Sequence, residues 1–200
     1  NCPVSRKVPY AEGFYSGVKE KIKNCLLEFQ WNDAYVNAIL EILEATTTFV
    51  PSSTSTNELA DISLYDHVKM TAAIATCIHE YLLQENITDY KTTLFKEATS
   101  FYSKPIFYLY SMDISGIQDF IYTITSKGAL KGLRSRSFYL EIMMEHLIDS
   151  LLEKLFLSRV NLIYSGGGHA YILLPNTEKV RKIVGDFEQE VNEWFLEMFE

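Results

Sequence analysis

The groups able to do chemistry fall in four short stretches. In "SMDISGIQ" an acid, Asp113, is followed by Ser115 and Gly116, and Ser115 with Gln118 makes the S-x-x-Q pattern of a helix capping box. An acid at a strand end, next to free helix amides, can hold a phosphate or a metal–phosphate. The same residues also read as a strand-end acid that complements a helix N-terminus. In "IYSGGGHAYILLP", Ser165 and His169 bracket three consecutive glycines, Gly166, Gly167 and Gly168. A tight hairpin needs one or two glycines for positive φ, so the third points to something lying close against the backbone: a phosphate, a base or another chain. Bare amides and the Ser165 hydroxyl can donate there, while His169 either joins the site or closes the turn.

The third stretch, "KGALKGLRSR", carries Lys127, Lys131, Arg134 and Arg136 with no acid, in a chain whose net charge is −8. It reads as a solvated loop or as a patch for triphosphate or RNA backbone, where arginine offers bidentate contacts. The fourth, "DISLYDHVKM", gathers Asp61, Asp66 and His67 at a helix start. Asp and His ligate a divalent metal when other elements add ligands, but the first sixty residues contain no further His. His79 and His146 fall inside helical patterns and read as packed or surface residues.

The elements that must position these groups come in two halves. Apolar residues at helical spacing predict a helix pair from Gly17 to Leu43 and a third helix from Leu64 to Leu83, separated by the polar loop "TTTFVPSSTSTNELAD". Near Ser100 the character changes. A strand "PIFYLYSMDIS" precedes a capped helix "SGIQDFIYTIT", a loop "SKGALKGLRSRS", a helix from Phe138 to Leu157, the glycine hairpin, and a last helix from Thr177. Strand, helix, helix, hairpin, helix is the order of a ferredoxin-like or palm sheet that lacks its last strand. The fold class is therefore α+β, with a helical segment over 1–99 and an incomplete palm domain over 100–200.

Composition sets outer bounds. With 200 residues, 48% of them apolar, the chain can bury one sizeable core or two small ones. A net charge of −8 argues against a surface built throughout for nucleic acid. Cys2, Cys25 and Cys77 are widely spaced with no C-x-x-C pair, which disfavours a disulfide framework or a zinc site and fits a reducing cytoplasm. No apolar run approaches the ~18 residues of a membrane span, and the N-terminus has no signal-peptide pattern, so no membrane partner is expected. The chain starts without Met and stops within the helical pattern "EWFLEMFE". The expectation is a piece of a longer protein.

Four segments, "DISLYDHVKMTAAIA", "DISGIQDFIY", "LKGLRSRSFYLE" and "IYSGGGHAYILLP", in this order and spacing, resemble the large signature subunit of type III CRISPR effector complexes, most closely the subtype A form. The resemblance runs from about Phe49 to Pro175. It implies an N-terminal HD nuclease domain that cuts single-stranded DNA, and two cyclase-like palms that join ATP into cyclic oligoadenylates once target RNA binds. By resemblance, residues up to about Thr99 are the tail of the HD domain, where Asp66 and His67 are candidate metal ligands, although no "HD" dipeptide occurs in the chain. Residues from Phe101 resemble the first palm, which lacks the acidic hairpin tip of the second. Asp113, Ser115, Gly116, Ser137, Ser165, Gly166, Gly167 and Gly168 would then form a nucleotide pocket, with Lys131, Arg134 and Arg136 facing phosphate or RNA. The resemblance implies ATP as substrate, a divalent metal (Mg or Mn) in the complete subunit, and as partners the other effector subunits, guide RNA, target RNA and single-stranded DNA. No catalytic residue is expected within this chain. The alternative is a scaffold palm that only supports assembly.

Overall fold

A computed structural model describes residues 12–29, 35–53, 55, 57, 61–122 and 129–199. The chain divides into two compact units, Asn1–Ala72 and Ala73–Glu200. The division falls inside a helix, whereas the change of character near Ser100 marks the place where strand structure begins.

In the first unit, α1 (Glu12–Leu27) and α2 (Tyr35–Thr47) form the expected helix pair, and α3 (Leu64–Gln84) begins. The polar loop between α2 and α3 is pinned by an antiparallel bridge, Pro51 with Ser63, and by Leu64 N donating to Val50 O at 2.7 Å. Val50 and Tyr65 are buried there, and the Tyr65 hydroxyl donates to the Glu44 carboxylate at 3.1 Å. Burial, and then the Glu44 charge, push the Tyr65 phenol up to about 12.

The second unit holds the rest of α3, a π-helical turn (Thr92–Lys96), α4 (Ala98–Tyr102), β1 (Phe107–Asp113), α5 (Ile117–Tyr122), α6 (Ala129–Lys154), β2 (Leu162–Gly166), β3 (His169–Pro175) and α7 (Glu178–Phe199). The sheet order is β1–β3–β2 with both pairings antiparallel. This is a ferredoxin-like sheet without the fourth strand that would pair along the free edge of β1, and no such strand occurs among the described residues.

Period-two alternation explains the layering, because successive side chains of a strand point to opposite faces. Ala170, Ile172 and Leu174 of β3, with Tyr110 and Met112 of β1, face α6 and α7. Leu140, Met143, Met144, Leu147, Ile148, Leu151 and Leu152 of α6 complete that core with Val180, Val184 and Phe187 of α7. A smaller cluster of Leu82, Phe101 and Ile106 ties the end of α3 to α4 and the start of β1. Asn161, fully buried, donates to Leu173 O at 2.9 Å and to Cys77 Sγ at 3.5 Å, so α3 is bound to the sheet by polar contacts as well.

Three local expectations are corrected. The stretch read as the loop "SKGALKGLRSRS" is helical from Ala129 onward, so Lys131, Arg134, Arg136 and Ser137 ride on the first turns of α6. Alanine, leucine, lysine and arginine are strong helix formers, and one internal glycine costs only about 1 kcal/mol against them. Lys127 lies outside the described residues. The capping box is displaced too. Gly116, with φ +77°, rather than Ser115, immediately precedes α5, and Gly116 O accepts from Phe120 N at 3.0 Å. Lastly, α6 stops at Lys154 instead of Leu157, in a Schellman motif where Leu157 N donates to Leu152 O and Phe156 N to Glu153 O. Phe156 takes the left-handed position, φ +55°, that sequence pattern assigns to Gly or Asn. No helix among the described residues is long and apolar enough to cross a membrane.

Candidate functional site

Strand register sorts the hairpin residues into two sets. Gly166 pairs with His169, and His169 with Asp113, so these three make one row across the sheet at the tip. The next row on the same face is Tyr164, Tyr171 and Ser111. Both rows face away from α6 and α7. Asp113 and His169 are each about half exposed, and His169 Nδ1 lies 3.1 Å from Asp113 Oδ1. Ser165 belongs to the other set. It pairs with fully buried Ala170, and its hydroxyl donates to Glu145 of α6 at 2.8 Å.

The glycines now have separate reasons. Gly167 and Gly168 form the two-residue turn with φ of +62° and +85°, the paired positive values of a type I′ hairpin. Gly168 also sits against α5, where a Cβ would lie 1.9 Å from Ile117 Cδ1. Gly166, the third glycine, is overlain by its own strand: a Cβ there would meet the Tyr164 hydroxyl at 2.7 Å. What approaches the bare backbone within this molecule is thus a tyrosine ring and an isoleucine.

The tip is fastened to the β1–α5 turn, since Ile114 N donates to Gly168 O at 3.1 Å. This brings Asp113, Ser115, Gly116 and the glycine turn together. Ser115 and Gly116 also open onto a cavity of 640 Å³ lined mainly by apolar groups of α5, α6 and α7, among them Phe120, Leu140, Met143 and Phe195, with Asn192 adding an amide. Such a cavity has the size of a small-molecule site.

Other expected members are held elsewhere. The Arg136 guanidinium donates to Phe120 O and lies 5.1 Å over the Phe120 ring, which anchors α5 to α6 and turns this group away from phosphate duty. Lys131, Arg134 and Ser137 are exposed along α6. Asp66 and His67 are exposed in the first turn of α3, where Ser63 Oγ accepts from Asp66 N at 3.5 Å. Among the described residues no cluster of three or more His, Cys, Asp or Glu side chains is placed to hold a metal ion. Among the described residues Asp113 belongs to no such cluster, and it is already paired with His169. These residues do not fit a metal site by themselves.

Sequence reasoning missed the network beneath the hairpin. Glu145 accepts from Ser165 with one oxygen and from Arg159 with the other at 2.6 Å, while Arg159 also forms a bidentate pair with Asp149 at 2.7 and 2.8 Å. Nothing local in the sequence couples positions 145, 159 and 165. The Tyr164–Tyr171 row was missed as well, although the alternation His169, Tyr171 in β3 was there to be read.

Residues 106–200 match the family model described as Csm1 subunit domain B. The chain is 51% identical over 199 residues, all of its length, to a protein of Mycobacterium tuberculosis named CRISPR system single-strand-specific deoxyribonuclease Cas10/Csm1 (subtype III-A), of which it covers 25%. A protein of the same name from Enterococcus italicus is 46% identical, with 98% of this chain and 27% of that protein covered. The chain therefore spans about a quarter of the length of the curated relatives it matches. Among solved structures, a Csm1–Csm4 cassette in complex with pppApA is similar at a TM-score of 0.77 and 31% identity, over 96% of this chain and 25% of the other. The Csm1–Csm4 cassette in complex with one ATP gives 0.74 and 32%, over 94% and 24%.

Proposed function

We propose that this chain, which belongs to the Cas10/Csm1 family of subtype III-A, serves as the nucleotide-holding palm of a CRISPR effector large subunit, with ATP seated at the hairpin tip. The observation that carries this reading is the tip row: Gly166, His169 and Asp113 lie side by side on the open face, and Ile114 N locks the tip onto the β1–α5 turn. Bare backbone at Gly167, with nothing within 4 Å of its Cβ position, admits a ligand closely. The neighbours crystallised with one ATP and with AMPPNP support a nucleotide on this fold.

The chemistry of the tip limits what this palm does. A hairpin end reading Ser165-Gly-Gly-Gly-His169 has no carboxylate to hold metal ions against a triphosphate. Its contribution is to bind and orient one ATP, by amide donors and by the His169–Asp113 pair, while acids outside this chain carry out phosphoryl transfer. In the complete subunit this reading assigns conversion of ATP to cyclic oligoadenylate and cleavage of single-stranded DNA, both switched on by target RNA. The relatives' name supports the nuclease, and a neighbour in complex with cA4 supports the cyclic product. A Csm4-type subunit, guide RNA and target RNA are the partners, Lys131 and Arg134 the RNA- or phosphate-facing cations, and Asp66 and His67 would hold Mg or Mn on the HD side only together with ligands from outside this chain.

A second reading, a scaffold palm, draws on the Ser165–Glu145–Arg159–Asp149 network and on the packing of Ile117 against Gly168, which explain parts of the hairpin without a ligand. His169→Ala and Asp113→Asn in the full-length subunit within its complex separate the two. Loss of ATP binding and oligoadenylate synthesis with assembly intact supports the nucleotide site; full synthesis, or loss confined to assembly, supports the scaffold.

A further inference from the structure

The open face carries an aromatic pair that the tip row does not use. Tyr164 and Tyr171 are cross-strand partners with ring centroids 6.3 Å apart and planes tilted by 40°. They are 54% and 40% exposed, although aromatic rings on a strand ordinarily bury their area. Two features keep the Tyr164 ring on this face. The hairpin register sets it opposite Tyr171, and a register irregularity between Leu162 and Tyr164 lets Leu162 turn to the core while Tyr164 stays on the open side. Gly166 then leaves the space into which the Tyr164 phenol leans, because a Cβ would stand 2.7 Å from its hydroxyl. The third glycine is thereby tied to the position of this ring.

We infer that Tyr164 and Tyr171 form a stacking platform for the adenine base of the bound nucleotide. This rests on the reading of the tip as an ATP site. A base needs a flat apolar surface with hydrogen-bonding groups at its edge. The two phenol rings supply the surface, and Ser111, beside Tyr171, and the His169–Asp113 pair one row on supply the edge. No lysine or arginine sits in these rows, so they suit the base and leave the triphosphate to the backbone amides of the tip and the β1–α5 turn. An apolar protein partner would instead centre farther from the tip, on Leu109 and Phe107.

The test compares ATP with ribose 5-triphosphate, which lacks the base, for binding to the full-length subunit and to its Tyr164→Leu/Tyr171→Leu and Tyr164→Phe/Tyr171→Phe variants. The leucine variant is expected to lose about 10- to 100-fold in ATP affinity, as loss of base–aromatic stacking does. Its affinity for ribose triphosphate should not change, and the phenylalanine variant should keep both. A wild type that binds ATP, with a folded leucine variant that binds it equally well, overturns the platform and leaves the ATP site standing. If the wild type binds no ATP, both fall. If the leucine variant loses ATP and ribose triphosphate together, or loses assembly alone, the rings serve structure or a protein partner and the platform is overturned.

Discussion

The two faces of the sheet in the second unit are made by the same three strands and differ in what they are finished for. Toward α6 and α7, Ala170, Ile172 and Leu174 are fully buried, and the one polar hairpin side chain on that side, Ser165, is taken up by Glu145. Toward the open side, the rows at Asp113, His169, Ser111, Tyr171 and Tyr164 leave polar and aromatic groups in solvent. The first face is complete within the chain. The second has the groups of a binding surface and, near the tip, few of the contacts that would make them structural.

The difference should be largest in stability. Ile172→Ala removes a fully buried side chain from the core and is expected to cost about 2–5 kcal/mol, whereas Leu109→Ala, at a site 59% exposed on the open face, should cost about 0.5 kcal/mol. Urea unfolding of the two variants measures this, and equal costs would erase the distinction between the faces.

The hairpin tip sharpens the comparison at the next scale. Gly168→Ala meets both a φ of +85° and Ile117, so about 1–3 kcal/mol of destabilisation is expected. Gly167→Asn keeps a φ of +62° that asparagine tolerates in open space, and should cost only a few tenths of a kcal/mol. Thermal melts of the two variants suffice. A Gly167 variant as damaged as the Gly168 variant would mean that the whole tip, and not one packed residue, is structural.

These positions also mark how far the sequence could be read. The strand ending in Asp113, the glycine hairpin, the long apolar stripe of α6 and the α+β class follow from period and turn chemistry, which are local. Ser165 and Asp113 were placed in one pocket, yet they point to opposite faces, because the face of a strand residue depends on register and these two pair with adjacent residues of β3, Ala170 and His169. Arg136 was read with Lys131 and Arg134 as a phosphate patch. Its partner, Phe120 O, lies sixteen residues away and only the folding of α5 onto α6 reveals it. The start of α6 at Ala129 was missed because two glycines and several charges outweighed the helix propensity of their neighbours.

A smaller effect concerns pH and the far side of the sheet. Burial raises the Cys77 thiol from 9.0 to about 12, with the Asn161 contact opposing the shift. A raised pKa in the folded state means its contribution to stability is full below pH 9.0 and is lost as pH climbs toward about 12, since the unfolded thiol ionises first. The fall in stability over that window should be steeper in the wild type than in Cys77→Ala, measured by denaturant titration at several pH values; parallel curves would show that Cys77 does not carry the dependence.

The most direct measurement of the central claim is amide hydrogen exchange of the full-length subunit with and without ATP. An ATP seated at the tip predicts slowed exchange in 113–117 and 164–171, and little change along α7. Unchanged exchange in both tip segments, under conditions where ATP is bound, would contradict this and place the nucleotide away from the tip.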